Sequence, residues 1–197
     1  MSVTGALREI HLFPVKSAGG LSPDTARVGL DGLVGDRSHA VVDAGGQVLA
    51  AKSVPRLREL GLTGDGPPAL LVPGGQDLAT FLGVDGARLA PVPGGARQVE
   101  AVHVVTLAQR ADPAAGDTSR ANLVLDLDAP LPSGTLLRTG TALLEVVGVP
   151  RHCGGVFARV VEPGALRVGD VVDVVDVVVD VVVDVDVVVE EGSGPPG

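Results

Sequence analysis

The sequence predicts an all-β protein, mainly strands with a few short helices, closed into a barrel-like fold. Three observations carry that expectation. The hydrophobic residues, 45% of the chain, are almost all aliphatic, with three Phe and no Trp or Tyr, so the interior must be filled by Val, Leu and Ala, which favours strands and turns over long helices. Short apolar runs recur at regular spacing between turns rich in Gly (28) and Pro (15), as in sandwiches and barrels. Stretches of helical period are few. At 197 residues the chain suits one domain, or two small lobes sharing a core.

The first 62 residues read as short strands joined by turns. Leu7, Ile10 and Leu12 give "LREIHLF" an imperfect alternation, and "HAVVDAGGQVLAA" has two apolar arms about Asp43-Ala44-Gly45-Gly46, a hairpin signal. Such strands bury one face and need a closed or covered sheet. From Gly61 to Ala101 the chain is Gly- and Pro-rich, with one short helix expected at "QDLATFLG", and reads as a connector with little core of its own. "VEAVHVVTLAQ", "RANLVLDLDAP" and "GTLLRTGTALLEVVGV" then read as strands. "GGVFARVVEPGALRVGDVVDVV" follows, with two apolar arms about the turn Glu162-Pro163-Gly164-Ala165. Residues 171–189 are a two-letter Val/Asp run. A helix of β-branched Val is disfavoured and the strand register is ambiguous, so a strand is expected to about Val175 and an ill-defined tail after it. "EEGSGPPG" reads as a disordered terminus. The expected division is therefore 1–98, 99–175 and a low-complexity C-terminal tail, 176–197.

The net charge of −9 is unevenly placed. All 15 Lys and Arg precede residue 171, whereas seven of the 24 acids follow it, so residues 1–170 set 15 bases against 17 acids. A nearly neutral body with local basic spots suits a small anionic ligand; it lacks the broad basic face of a nucleic-acid binder. The start "MSVTGALREIHLF" has no basic region followed by a long apolar run, and no uncharged stretch approaches the roughly 18 residues of a membrane helix. One cysteine allows neither an internal disulfide nor an iron-sulfur cluster, and a reducing cytoplasm with no membrane partner is the expectation.

That cysteine, Cys153, lies in "VPRHCGGVF", between an Arg-His pair and two glycines at the break between apolar runs. A thiol there is either a small buried hydrophobe or a ligand and nucleophile presented by a turn.

Two stretches, "IHLFPVKSAGG" and "GLVGDRSHAVVDAGGQVLAAKSVPRL", resemble in order the N-terminal β-barrel half of MOSC-domain proteins. "SRANLVLD", "LRTGTALLEVVGVPRHC" and "GVFARVVEPGALRVGD" resemble the MOSC domain proper, the module named for the C-terminus of molybdenum cofactor sulfurases. The resemblance implies a site for the molybdenum cofactor, a pterin carrying a dithiolene and a phosphate, and in members that reduce N-hydroxylated compounds a cysteine thiolate is a direct molybdenum ligand. Cys153 occupies that place. A soft thiolate suits the metal, and nearby cations such as Arg151 are expected to lower its pKa or to hold the phosphate.

By the same resemblance Lys16 and Ser17, in "FPVKS", present an ammonium and a hydroxyl to the cofactor, and Arg120 and Asn122, in "SRANLVLD", supply a guanidinium fork and an amide. Arg37 and Lys52 match the N-terminal pattern; for each, pairing with Asp36 or with the backbone stands beside cofactor contact. His152 sits where many members carry Arg. The chain departs from the family in passing from Cys153 to the next strand without the usual insertion, which bears on catalysis more than on fold. The implied activity is a molybdenum-dependent oxidoreductase acting on an N-hydroxylated small molecule, with electrons from a separate ferredoxin or flavoprotein. The alternatives are a cofactor or sulfur carrier without turnover, and a barrel without cofactor. The pyridoxal phosphate chemistry of the sulfurases belongs to a separate large domain that does not fit in this chain.

Overall fold

The computed structural model describes residues 3–63, 67–96 and 100–175; the later Val/Asp run and the terminus lie outside them. In chain order the strands are β1 (Val3–Ile10), β2 (Thr25–Gly29), β3 (Gly32–Leu33), β4 (His39–Val42), β5 (Gly61–Leu62), β6 (Leu70–Leu71), β7 (Arg88–Pro91), β8 (Val102–Thr106), β9 (Leu123–Asp126), β10 (Leu136–Thr139), β11 (Ala142–Gly148), β12 (Val156–Glu162), β13 (Gly164–Arg167) and β14 (Val171–Val175). Two short helices join them, α1 (Leu78–Leu82) and α2 (Leu107–Ala111). The expected all-β class holds.

Seven strands close into a barrel in the order β1-β14-β10-β11-β12-β8-β9, with β9 returning to β1. Closure pairs every strand on both sides and leaves no exposed edge. Alternation fills the interior. Val172 and Val174 are buried while Val171 and Val175 stand exposed, so the Val/Asp run does form a strand up to residue 175, its register set by which face meets the core. Leu7, Ile10, Val104, Leu123, Leu125, Leu137, Leu144 and Val172 pack in one cluster. Each such aliphatic side chain contributes about 1.5–3 kcal/mol on burial. The seam joins β1 to β14, with Val3 opposite Val174.

All barrel pairs are antiparallel except β8–β9. A parallel pair needs a crossover of a dozen or more residues, here built on α2. Thr106 Oγ1 accepts from Gln109 N at 3.2 Å, and Gln109 Oε1 accepts from Thr106 N at 3.0 Å, a reciprocal cap. The crossover then delivers residues 116–122 to the mouth of β9.

Two sequence expectations fail here. The arms about Glu162-Pro163 do not pair with each other: β12 lies between β11 and β8, whereas β13 leaves the barrel and pairs with β2, which pairs with β3. The chain turns away at Gly164, where a Cβ would stand 2.5 Å from the Thr141 carbonyl carbon, and the resulting sheet lays Val28, Leu33 and Leu166 against the barrel core. The stretch 61–101 is also more than a connector. Phe81 and Leu82 of α1 are buried with Val15, Ala18, Val41, Leu57 and Leu60 in a second core. Asp77 caps α1 through Thr80 N at 2.9 Å and Gly83 ends it in the left-handed conformation, so the short helix expected here is present. The turn at residues 43–46 also forms, with Asp43 N donating to Gln47 O and Leu49 N to Val41 O, although the main partner of β4 is β7.

Candidate functional site

Cys153 sits where the 116–122 crossover meets the loop before β12. Asp117 and Cys153 form an isolated parallel bridge, with Gly154 N donating to Asp117 O at 3.2 Å. The two glycines after the cysteine let this turn lie flat. A Cβ on Gly154 would be 2.3 Å from the Ala115 carbonyl oxygen, and one on Gly155, whose φ is 87°, would be 2.3 Å from that of Val104.

The imidazole of His103, inside the fully buried strand β8, fixes the turn from below. It is buried, and its Nε2 lies 2.7 Å from the Gly154 carbonyl oxygen; since that oxygen only accepts, Nε2 carries the proton. Burial holds the pKa of His103 below the ordinary value; the carbonyls of Gly154 and Arg120 oppose that shift, and the Arg37 charge adds to it. Phe157 packs against the ring at 5.3 Å between centroids.

The thiol itself is half-buried. Its pKa is raised, by desolvation first and then by the Asp117 carboxylate. The expected lowering by neighbouring cations is absent because the nearest influence is an anion and Arg151 is exposed. Asp117 is kept charged, its pKa held down by hydrogen bonds from Ser119, the backbone N–H at 2.9 Å among them, with Arg58 and Arg120 assisting. A shallow depression of about 430 Å³ opens beside Cys153, lined by Gln109, Pro130, Leu131, Pro132, Val149 and Val156.

A second focus lies across Asp117. The guanidinium carbons of Arg120 and Arg37 stand 4.3 and 5.6 Å from the centroid of the Phe13 ring. Arg37 pairs with buried Asp36, whose other oxygen accepts from Phe13 N at 2.8 Å. Arg120 donates to the Ala18 carbonyl at 2.6 Å. Burial and then the like charge of Arg37 pull the pKa of Arg120 down to about 10, a cation short of counter-charge. Arg37 and Ser17 are the two non-glycine residues with positive φ among the described residues, 49° and 66°; such conformations cost energy and cluster at functional sites. Ser17 Oγ accepts from Ala51 N at 3.2 Å, which ties the Lys16-Ser17 loop to the turn carrying exposed Lys52.

Asn122 is fully buried and held by backbone at both ends of its amide. Its Oδ1 accepts from His103 N at 3.1 Å and its Nδ2 donates to the His11 carbonyl at 3.2 Å. It clamps the residue that follows β1 to β8. The structure thus brings Arg37 and Arg120 together and draws the loops of Ser17 and Lys52 to each other. It links Cys153 to the arginines only through Asp117, and leaves Arg151 apart. Phe13, His103 and Asp117 join the site without having been read from sequence, whereas Asp36 pairs with Arg37 as one of the two readings had it; the sole cue for His103 was a polar residue inside an apolar run. Among the described residues no three His, Cys, Asp or Glu side chains converge as a metal cage, and no helix is long and apolar enough to cross a membrane.

By its fold this is an all-β protein in which a closed barrel carries a smaller lobe of short sheets. Residues 4–92 match the family described as the MOSC N-terminal beta barrel domain, the resemblance that "FPVKS" and "GDRSHAVV" had carried. The YuaD protein of Bacillus subtilis, known from a crystal structure, superposes with a TM-score of 0.48 at 13% identity, over 88% of this chain and 97% of its own. No curated protein matches.

Proposed function

We propose that the region between Phe13 and Cys153 binds the molybdenum cofactor, and that the protein is an oxidoreductase reducing N-hydroxylated small molecules. The observation that supports this most is the pair Arg37 and Arg120 over one phenyl ring, half-buried and incompletely neutralised, which fits an anionic phosphate-bearing group. The molybdenum cofactor brings its own dithiolene and would ask the chain for one soft ligand, Cys153. When bound, the group supplies two-electron removal of oxygen from an N–O bond.

The chain's own residues do the rest. Arg37 and Arg120, steered by Phe13 and Asp36, would hold the anionic end, with the Ser17 and Lys52 loops tied together by the Ala51 N to Ser17 Oγ bond. His103 fixes the Gly154 carbonyl and so the direction in which Sγ points. Burial and Asp117 favour the protonated thiol, so Sγ would serve as a thiolate ligand only with a cationic metal beside it. Electrons would come from a separate ferredoxin or flavoprotein. A second reading, a cofactor or sulfur carrier without turnover, draws support from the depression beside the thiol, whose lining offers no acid or base apart from the thiol itself.

The test is molybdenum per chain by elemental mass spectrometry, for wild type, Cys153→Ser and Arg120→Ala expressed in a host that makes the cofactor. Clear molybdenum in wild type with most of it lost in both variants is the expected result. Wild type without molybdenum sinks the enzyme and the cofactor-carrier readings, and loaded protein without reductase activity leaves the carrier.

A further inference from the structure

We propose that Ser22 is an activated nucleophile, its hydroxyl set against His11 and His11 against Glu9, and that it accepts acyl groups from small activated carboxylic esters. Strand geometry builds the arrangement. Glu9 and His11 are two residues apart at the end of β1 and so share a face. The chain then folds back, with Leu12 N donating to Leu21 O at 2.9 Å and Leu21 N to Leu12 O at 2.8 Å. In an antiparallel bridge, pairing 12 with 21 puts 11 opposite 22, in the closer, non-hydrogen-bonded pair.

The side chains meet in line. His11 Nε2 is 2.8 Å from Glu9 Oε2, and His11 Nδ1 is 2.9 Å from Ser22 Oγ. A carboxylate only accepts, so Glu9 fixes the proton on Nε2 and leaves the Nδ1 lone pair facing the serine O–H. This is the division of labour of a serine, histidine and carboxylate triad. Arg110 of α2 pairs with Glu9 and, with His11 assisting, holds its carboxyl below the usual range, so the charged form faces the imidazole. Ser22 is exposed, so a reagent can reach it.

The chemistry balances with water as the only co-reactant. Ser22 Oγ attacks the ester carbonyl carbon while its proton passes to His11 Nδ1. The bond to the leaving oxygen breaks, and that oxygen takes the proton, giving acyl-serine and free alcohol. Water, activated by the same nitrogen, then releases the carboxylic acid and restores the hydroxyl. Pro23 follows Ser22 and has no N–H, so the oxyanion donor that the next residue commonly provides is missing. This confines the site to esters with good leaving groups and makes the acyl-serine long-lived.

The experiment uses the full chain and p-nitrophenyl acetate, following nitrophenol release by absorbance and locating the acetyl group by peptide mass mapping. Wild type is expected to carry acetyl on Ser22 and Ser22→Ala to carry none there. General-base help amounts to about 10²–10⁴-fold, so His11→Gln should slow acylation of Ser22 at least about 100-fold, and Glu9→Gln should slow it by less. Ser22→Cys, which keeps a nucleophile beside the same imidazole, should also be acylated at position 22. Wild type unlabelled at Ser22, or labelled as fast in His11→Gln, overturns the assignment, provided circular dichroism shows the variant folded.

Discussion

The barrel and the smaller lobe reach a buried interior by different means. In the barrel, strands such as β14 and β11 place every second aliphatic side chain inward and close the hydrogen-bond ladder on itself. The lobe has only the two-stranded pairs β4–β7 and β5–β6, and its core is gathered from a turn at residues 55–59, α1 and single residues such as Val15 and Ala18. What it lacks in ladder it replaces with rings and cations. Arg56 lies 3.9 Å from the centroid of Phe81, and Phe13, between the two regions, carries Arg37 and Arg120. A closed ladder distributes stability along many strands, whereas the lobe concentrates it in few side chains.

The sharpest way to break that comparison is Phe81→Ala. Removing a nearly fully buried ring should cost about 3–5 kcal/mol by urea unfolding, with amide protection lost first between residues 39 and 91 while β8 to β12 keep theirs. Equal loss in both would make the two cores one cooperative unit. A smaller effect is expected from Asn122→Leu, which strands the His103 N–H and the His11 carbonyl; a buried group left unpaired costs about 1–3 kcal/mol, again read by urea unfolding. The smallest concerns pH. His103 has a folded pKa below its unfolded value, so the unfolded chain binds the extra proton and stability falls as pH drops below about 6.5. One such group contributes a slope of at most about 1.4 kcal/mol per pH unit, and His103→Gln should remove that part of the slope between pH 6.5 and 5.

Legibility followed the same division. Barrel strands announced themselves by period, because inward and outward residues alternate regardless of which strand lies alongside. Pairing did not: the two arms about Glu162-Pro163 looked like a hairpin, yet β13 crosses to β2, a choice made by the close approach of Gly164 to Thr141 that no local pattern encodes. The lobe's core escaped notice because Val15, Leu57 and Phe81 have no common period, only a common destination. Helix α2 was hidden in a strand-like run, although Thr106 and Gln109 carried its capping signature. At the site, family likeness pointed to Arg37 and Arg120, which do converge, and to Asn122, whose amide is taken up by backbone. The raised thiol of Cys153 could not be read at all, since Asp117 is 36 positions away in sequence.

The seam between β1 and β14 joins segments separated by about 170 residues of chain. Val3 finds Val174 only after every residue between them has been made, so until then β1 has β9 alone beside it. Contacts of such long sequence separation form slowly, and until the seam closes the apolar face of β1 is exposed to other nascent chains. The barrel is therefore expected to close late, with chaperones most relevant in the interval before β14 docks.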